Sequence, residues 1–116
     1  MEQKDLVDQL LAGRRVVVVT PSHHQARDAF RELVDYCNTV PVKSRHEVVT
    51  VRASNGNEAV LHPSGGWVRF GPPGTRWRGY SCDTLVMIGA ADIPDKARAE
   101  MLPMVMAAAD PQVIEL

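Results

Sequence analysis

The chain has 116 residues, of which 45% are hydrophobic and only 5% aromatic. That size supports one domain spanning 1–116 with a single aliphatic core. Thirteen basic residues against fourteen acidic ones leave a net charge of −1, which excludes a global field drawing the protein to nucleic acid. The polar start Met1-Glu-Gln-Lys-Asp5 is no secretory signal. No apolar run approaches the ~18 residues of a membrane span, so a soluble, cytoplasmic protein is expected.

Glu2 to Ala12 places Leu6, Val7, Leu10 and Leu11 on one helical face, and Gly13 suits the end of that helix. The run Val16-Val-Val-Val-Thr20 shows no alternation, as expected of a strand buried on both faces in a parallel sheet. Ser22 and Gln25 have the spacing of a capping box for a second helix. Its core face is Ala26, Phe30, Leu33, Val34 and Cys37. Glu47 to Arg52 then reads as a strand, Ser54 to Asn57 as a turn and Glu58 to His62 as the return. After Ser64-Gly-Gly66 comes Trp67-Val-Arg-Phe70, completing a meander of short antiparallel strands.

Gly71 to Thr75 is a loop, and Thr84 to Ile88 a second buried strand. Asp92 and Pro94 suit a helix start. The helix from Asp95 to Ala109 is expected to kink or split at Pro103, whose ring removes a hydrogen bond and meets the preceding turn. Val113 to Leu116 forms a final short strand. The predicted fold is an α/β three-layer sandwich, its mainly parallel sheet extended by an antiparallel meander. Cys37, on a helix face, and Cys82, leading into a strand, read as two buried free thiols.

Gly71-Pro-Pro-Gly-Thr-Arg-Trp-Arg78 begins like a phosphate-binding loop, but Arg76, Trp77 and Arg78 stand where the second glycine, the lysine and the hydroxyl residue belong. It also leads into no helix whose amides could converge on a phosphate. His23 and His24 point about 100° apart on a helix, and with His46 and His62 they are better read as capping or surface residues than as metal ligands. Ser22 lacks the glycine-flanked elbow of a hydrolase nucleophile. No acidic side chain occurs between Glu58 and Asp83. Within that stretch Trp67, Arg69, Arg76, Trp77 and Arg78 interleave cations with aromatics, as a nucleic-acid groove does. The tryptophans read equally as caps on the core.

The order of these pieces resembles the ATPase core of phage terminase large subunits and, more distantly, of DEAD-type helicases. The matching residues are Arg15-Val-Val-Val-Val-Thr-Pro-Ser-His-His-Gln-Ala-Arg-Asp-Ala-Phe30, the meander Val60 to Phe70, and Arg78-Gly79 with Asp83-Thr-Leu-Val-Met-Ile88. The likeness spans nearly the whole chain, though each motif alone is weak. It implies that the strand Thr84 to Ile88 is the one that in the family ends in Asp and Glu, one carboxylate for magnesium and one to polarise water. Here Gly89 and Ala90 occupy those positions. Asp92 is displaced along the chain from the strand end. The resemblance also implies that the segment like Asp5 to Gly13 follows a phosphate loop, which this chain as given begins after.

The resemblance therefore implies the fold without its hydrolysis. No catalytic residue, cofactor or metal site is expected. The leading reading is a phage-derived, non-catalytic module that binds or regulates a protein. The strand normally beside Val113, Ile114, Glu115 and Leu116 is the one before the phosphate loop, so this edge is expected to pair with a partner or with a second copy. A second reading is nucleic-acid binding through Arg69, Arg76, Trp77 and Arg78. A third is residual nucleotide binding at the strand ends around Thr20, Ser22, Gly89 and Ala90, where open α/β sheets place ligands.

Overall fold

In the computed structural model, which describes residues 3–39, 50–53 and 56–116, the valine run becomes β1 (Arg15–Val19). All four valines are fully buried. Strand geometry sends alternate side chains to opposite faces, and each face meets its own core. Val16 and Val18 join Leu6, Leu10, Phe30 and Leu33, residues of α1 (Gln3–Leu11) and α2 (His23–Thr39). Val17 and Val19 join Ile93, Met101, Met104 and Val105 on the other side, where α3 (Asp95–Met101) and α4 (Pro103–Met106) lie. The expected single core is thus two cores, because a central sheet with helices on both faces separates the apolar side chains into two layers.

The sheet has six strands among the described residues, in the order β2-β3-β4-β1-β5-β6. β2 (Thr50–Arg52), β3 (Ala59–Leu61) and β4 (Trp67–Gly71) form the antiparallel meander. β4 and β5 (Thr84–Met87) flank β1, both parallel to it. β6 (Gln112–Glu115) runs parallel to β5 at the margin. The predicted strand Glu47 to Arg52 is described only from Thr50, and the turn Ser54 to Asn57 only from Gly56. His46 lies outside the described residues.

Local signals account for most element ends. Gly13, at φ 78°, closes α1 in the left-handed region, which glycine enters without steric cost. The Ser22 hydroxyl oxygen accepts the Gln25 N–H at 3.3 Å, capping α2. The box is not reciprocal in the usual way, since the Gln25 side-chain oxygen accepts the Ser22 hydroxyl at 3.0 Å. Pro103 splits the last helix into α3 and α4. Helix does not continue to Ala109 as predicted: α4 ends at Met106, and only a turn from Ala108 N–H to Val105 C=O follows. Asp92 closes a short 3-10 turn, Ala90–Asp92, and Pro94 stands at the start of α3.

At the N-terminal end of the parallel strands, arginines tie the elements together. Arg14 donates through Nη2 to the carbonyls of Asp83 and Asp110 at 3.3 and 2.9 Å and to Thr84 Oγ1 at 3.2 Å. Its Nε reaches Gln9 Oε1 at 3.2 Å. Asp83 Oδ2 accepts the Arg15 backbone N–H at 2.8 Å and its Nε at 3.4 Å. Burial works to raise the Asp83 pKa, but these hydrogen bonds and the charges of Arg15 and Arg14 outweigh it and hold it below the ordinary carboxylate value. Neither cysteine is in a disulfide among the described residues, and both are buried. Burial first, then the neighbouring Asp83 charge, push the Cys82 thiol up to about 11, so it is inert near neutral pH.

Two outcomes follow from this packing. A Cβ on Gly66 would overlap the Leu10 carbonyl oxygen and sit 3.1 Å from that of Arg14. Gly66→Ala must therefore push the β3–β4 turn off the end of α1. It should lower unfolding free energy by roughly 3 kcal/mol, the upper range of overpacking costs, measured by urea denaturation. Because the folded pKa of Asp83 is depressed, its contribution is present above the unfolded pKa of about 3.9 and is lost as pH falls through the folded value. Asp83→Asn should lower the urea midpoint at neutral pH and flatten its fall below about pH 4; an unchanged acid limb would show that Asp83 has no part in it.

Candidate functional site

Because β4, β1, β5 and β6 are parallel, their C-terminal ends lie along one side of the sheet. Gly71, Thr20, Gly89 and Leu116 gather there. The four residues expected to form a nucleotide site, Thr20, Ser22, Gly89 and Ala90, come together at this margin. Several of their polar atoms are already engaged, however. Thr20 is buried, with its hydroxyl donating to Ser22 C=O at 2.7 Å and its N–H to Gly71 C=O at 3.2 Å. Ser22 caps α2. The Ala90 N–H donates to Leu116 C=O at 3.1 Å.

Gly89 adopts φ 71° and ψ 37°, and a Cβ there would lie 3.2 Å from the Pro21 ring. The chain leaves β5 in a conformation that suits glycine and places no carboxylate at the strand end. Asp92 follows on the exposed 3-10 turn. Among the described residues, no group of three or more His, Cys, Asp or Glu could hold a metal ion.

The basic and aromatic residues divide between two cavities, Arg69 and Arg76 lining one and Arg78 the other, with Trp77 and Tyr80 bordering both. Trp77 is only 5% exposed and belongs to the α3–α4 core; its indole N–H donates to Pro72 C=O at 2.8 Å. It is a core cap, with no free face for a base to stack on. Tyr80 packs edge-on against both Trp67 and Trp77. The Arg69 guanidinium lies 5.1 Å from the Trp67 ring centre and 5.6 Å from that of Tyr80. Arg76 lies 5.2 Å from the Trp77 ring centre. Arg78 is exposed and lines a second groove with Trp77, Tyr80, Glu100, Met101 and Met104.

Sequence reasoning missed the role of Glu58, which is 1% exposed. Its Oε1 lies 3.5 Å from His23 Nε2 and 3.9 Å from Arg27 Nε, so it docks the start of α2, where a negative charge is favoured by the helix dipole. The signal was an acid at the head of a buried strand, beside the long acid-free stretch. His24 turns away to Asp28 at 3.5 Å, as adjacent helical positions require. His62 Nδ1 accepts the Ser64 N–H at 3.0 Å.

β6 occupies the sheet margin. Gln112 and Leu116 donate their N–H groups to the carbonyls of Asp83 and Met87 at 3.0 and 2.9 Å. Alternation along a strand therefore aims the N–H and C=O of Val113 and Glu115 outward. Val113 and Leu116 expose much of their side chains. Arg98 of α3 reaches Glu115 at 3.6 Å and also pairs with Asp95.

No protein-family model and no curated protein matches the sequence. Solved structures do match. The HK97 bacteriophage large terminase superposes with a TM-score of 0.80 at 16% identity, over 97% of this chain and 25% of that one. The Thermus phage P74-26 large terminase ATPase domain gives 0.75 at 19% identity, over 97% of this chain and 52% of that one. A large terminase from another thermophilic bacteriophage, in complex with ATP-gamma-S, gives 0.62 at 9% identity, over 88% of this chain and 24% of that one. The chain spans between a quarter and about half the length of these structures. Its fold is that of the phage large-terminase ATPase domain.

Proposed function

We propose that this is a phage-derived, non-catalytic relative of the terminase ATPase domain that acts by binding a protein strand along β6. The observation that carries the reading is the outer edge of β6, unpaired among the described residues, where Val113 and Glu115 turn their backbone groups outward beside exposed apolar side chains. Natural sheets cover, shorten or charge such edges, and an added strand satisfies them through main-chain hydrogen bonds. The occupant is a strand of a partner or of a second copy.

Non-catalysis is supported by the end of β5. Phosphoryl transfer of the ATPase kind needs a metal-binding carboxylate and a group that orients water. Gly89 and Ala90 supply neither, and the amide of Ala90 is spent on Leu116. No helix among the described residues is long and apolar enough to cross a membrane, which fits a domain working in the host cytoplasm.

Val113→Pro tests the edge. Its missing N–H faces outward, so pairing with β5 survives while one rung of any docked strand is lost. Sedimentation and amide exchange should show association and slow exchange at Val113 and Glu115 in the parent chain, with association lost in the variant. A monomer with fast exchange at both residues overturns self-pairing along this edge. Calorimetry with ATP and magnesium should show no binding heat; measurable binding with phosphate release would remove the non-catalytic reading instead.

A further inference from the structure

We infer that Arg69 and Arg76 form a pocket for a single oxyanion, a phosphate monoester or free phosphate. Both line a cavity of about 60 Å³ beside Phe70, Trp77 and Tyr80. At roughly 10–15 Å³ per water this is room for about four to six waters, close to the five heavy atoms of a phosphate. The Arg69 Nε is buried and has no hydrogen-bond partner. Neither guanidinium is in an ion pair among the described residues, although Arg14, Arg15, Arg27 and Arg98 all are. The stretch between Glu58 and Asp83, which holds both arginines, carries no acidic side chain. A half-buried guanidinium keeps its charge, so an unmet N–H in such a place calls for an acceptor from outside.

The cavity is shaped for that acceptor. Arg76 closes over the bare Cα of Gly71, where a Cβ would lie 2.8 Å from its Nη1. The aromatic rings hold both guanidiniums by their faces, leaving the N–H edges to bind. Glu58 also borders the cavity. Its Oε1 turns to α2 and the preceding turn, where it meets His23, Arg27 and the Gly56 N–H, while its Oε2 is buried without a hydrogen-bond partner. A cation is excluded by two guanidiniums. A phosphodiester needs two exits from the pocket, whereas a monoester needs one. The pocket is independent of the β6 edge, and either can fail alone.

The test follows the Arg69 Nε–H resonance by nuclear magnetic resonance during titration at constant ionic strength. Inorganic phosphate and methyl phosphate should shift it saturably with Kd on the order of 1 mM, and dimethyl phosphate should bind at least about tenfold more weakly. The backbone amide shifts of Gly71 and Trp77 should be lost in Arg69→Gln/Arg76→Gln and weakened in Gly71→Ala, which keeps both charges but crowds Arg76. No saturable shift by about 50 mM phosphate, far above that Kd, overturns the site. So does equal binding of dimethyl phosphate, or an undiminished response in the double variant.

Discussion

Everything in this fold depends on the burial of β1 on both faces. Four valines with no polar partner among them cannot lie at a surface, and a strand between two parallel neighbours must be covered by helices above and below. α1 and α2 supply one cover, α3 and α4 the other. Once β4, β1, β5 and β6 point the same way, their ends collect on two opposite sides of the molecule. Each side then acquires a different chemistry.

The N-terminal side is devoted to holding the sheet together. Arg14 gathers carbonyls from the starts of β5 and β6, and Asp83 binds the first residue of β1 through backbone and side chain. Hydrogen bonds to charged groups in partly buried settings are the stronger class, so this network pins strand register where no core residue can. Its charges pair with one another, Arg14 with Asp110 and Arg15 with Asp83.

The C-terminal side is where an open α/β sheet offers a crevice, and here it divides. Around Thr20, Ser22, Gly89 and Ala90 the polar groups are consumed by caps and by the bond from Ala90 to Leu116. The left-handed turn at Gly89, pressed against Pro21, carries no side chain into the crevice. Around Arg69 and Arg76 the opposite holds. Aromatic rings hold the guanidiniums, and among the described residues neither is in an ion pair. One half of the margin is chemically closed and the other is chemically unmet.

Much of this was legible in the residues themselves. The valine run, the Ser22 cap, the Gly13 stop, the break at Pro103 and the antiparallel meander all act through local geometry, which short spacing encodes. That Gly89 and Ala90 put no carboxylate at the end of β5 was visible for the same reason. What the sequence alone left undecided depended on contacts between distant segments. Trp77 reads as platform or core cap until α3 and α4 cover it. Glu58 looks like an ordinary strand start until α2 brings His23 and Arg27 to it. The outward set of Val113 and Glu115, and the convergence of Arg69 with Arg76, exist only because long-range pairing sets register, and register cannot be read from one strand at a time.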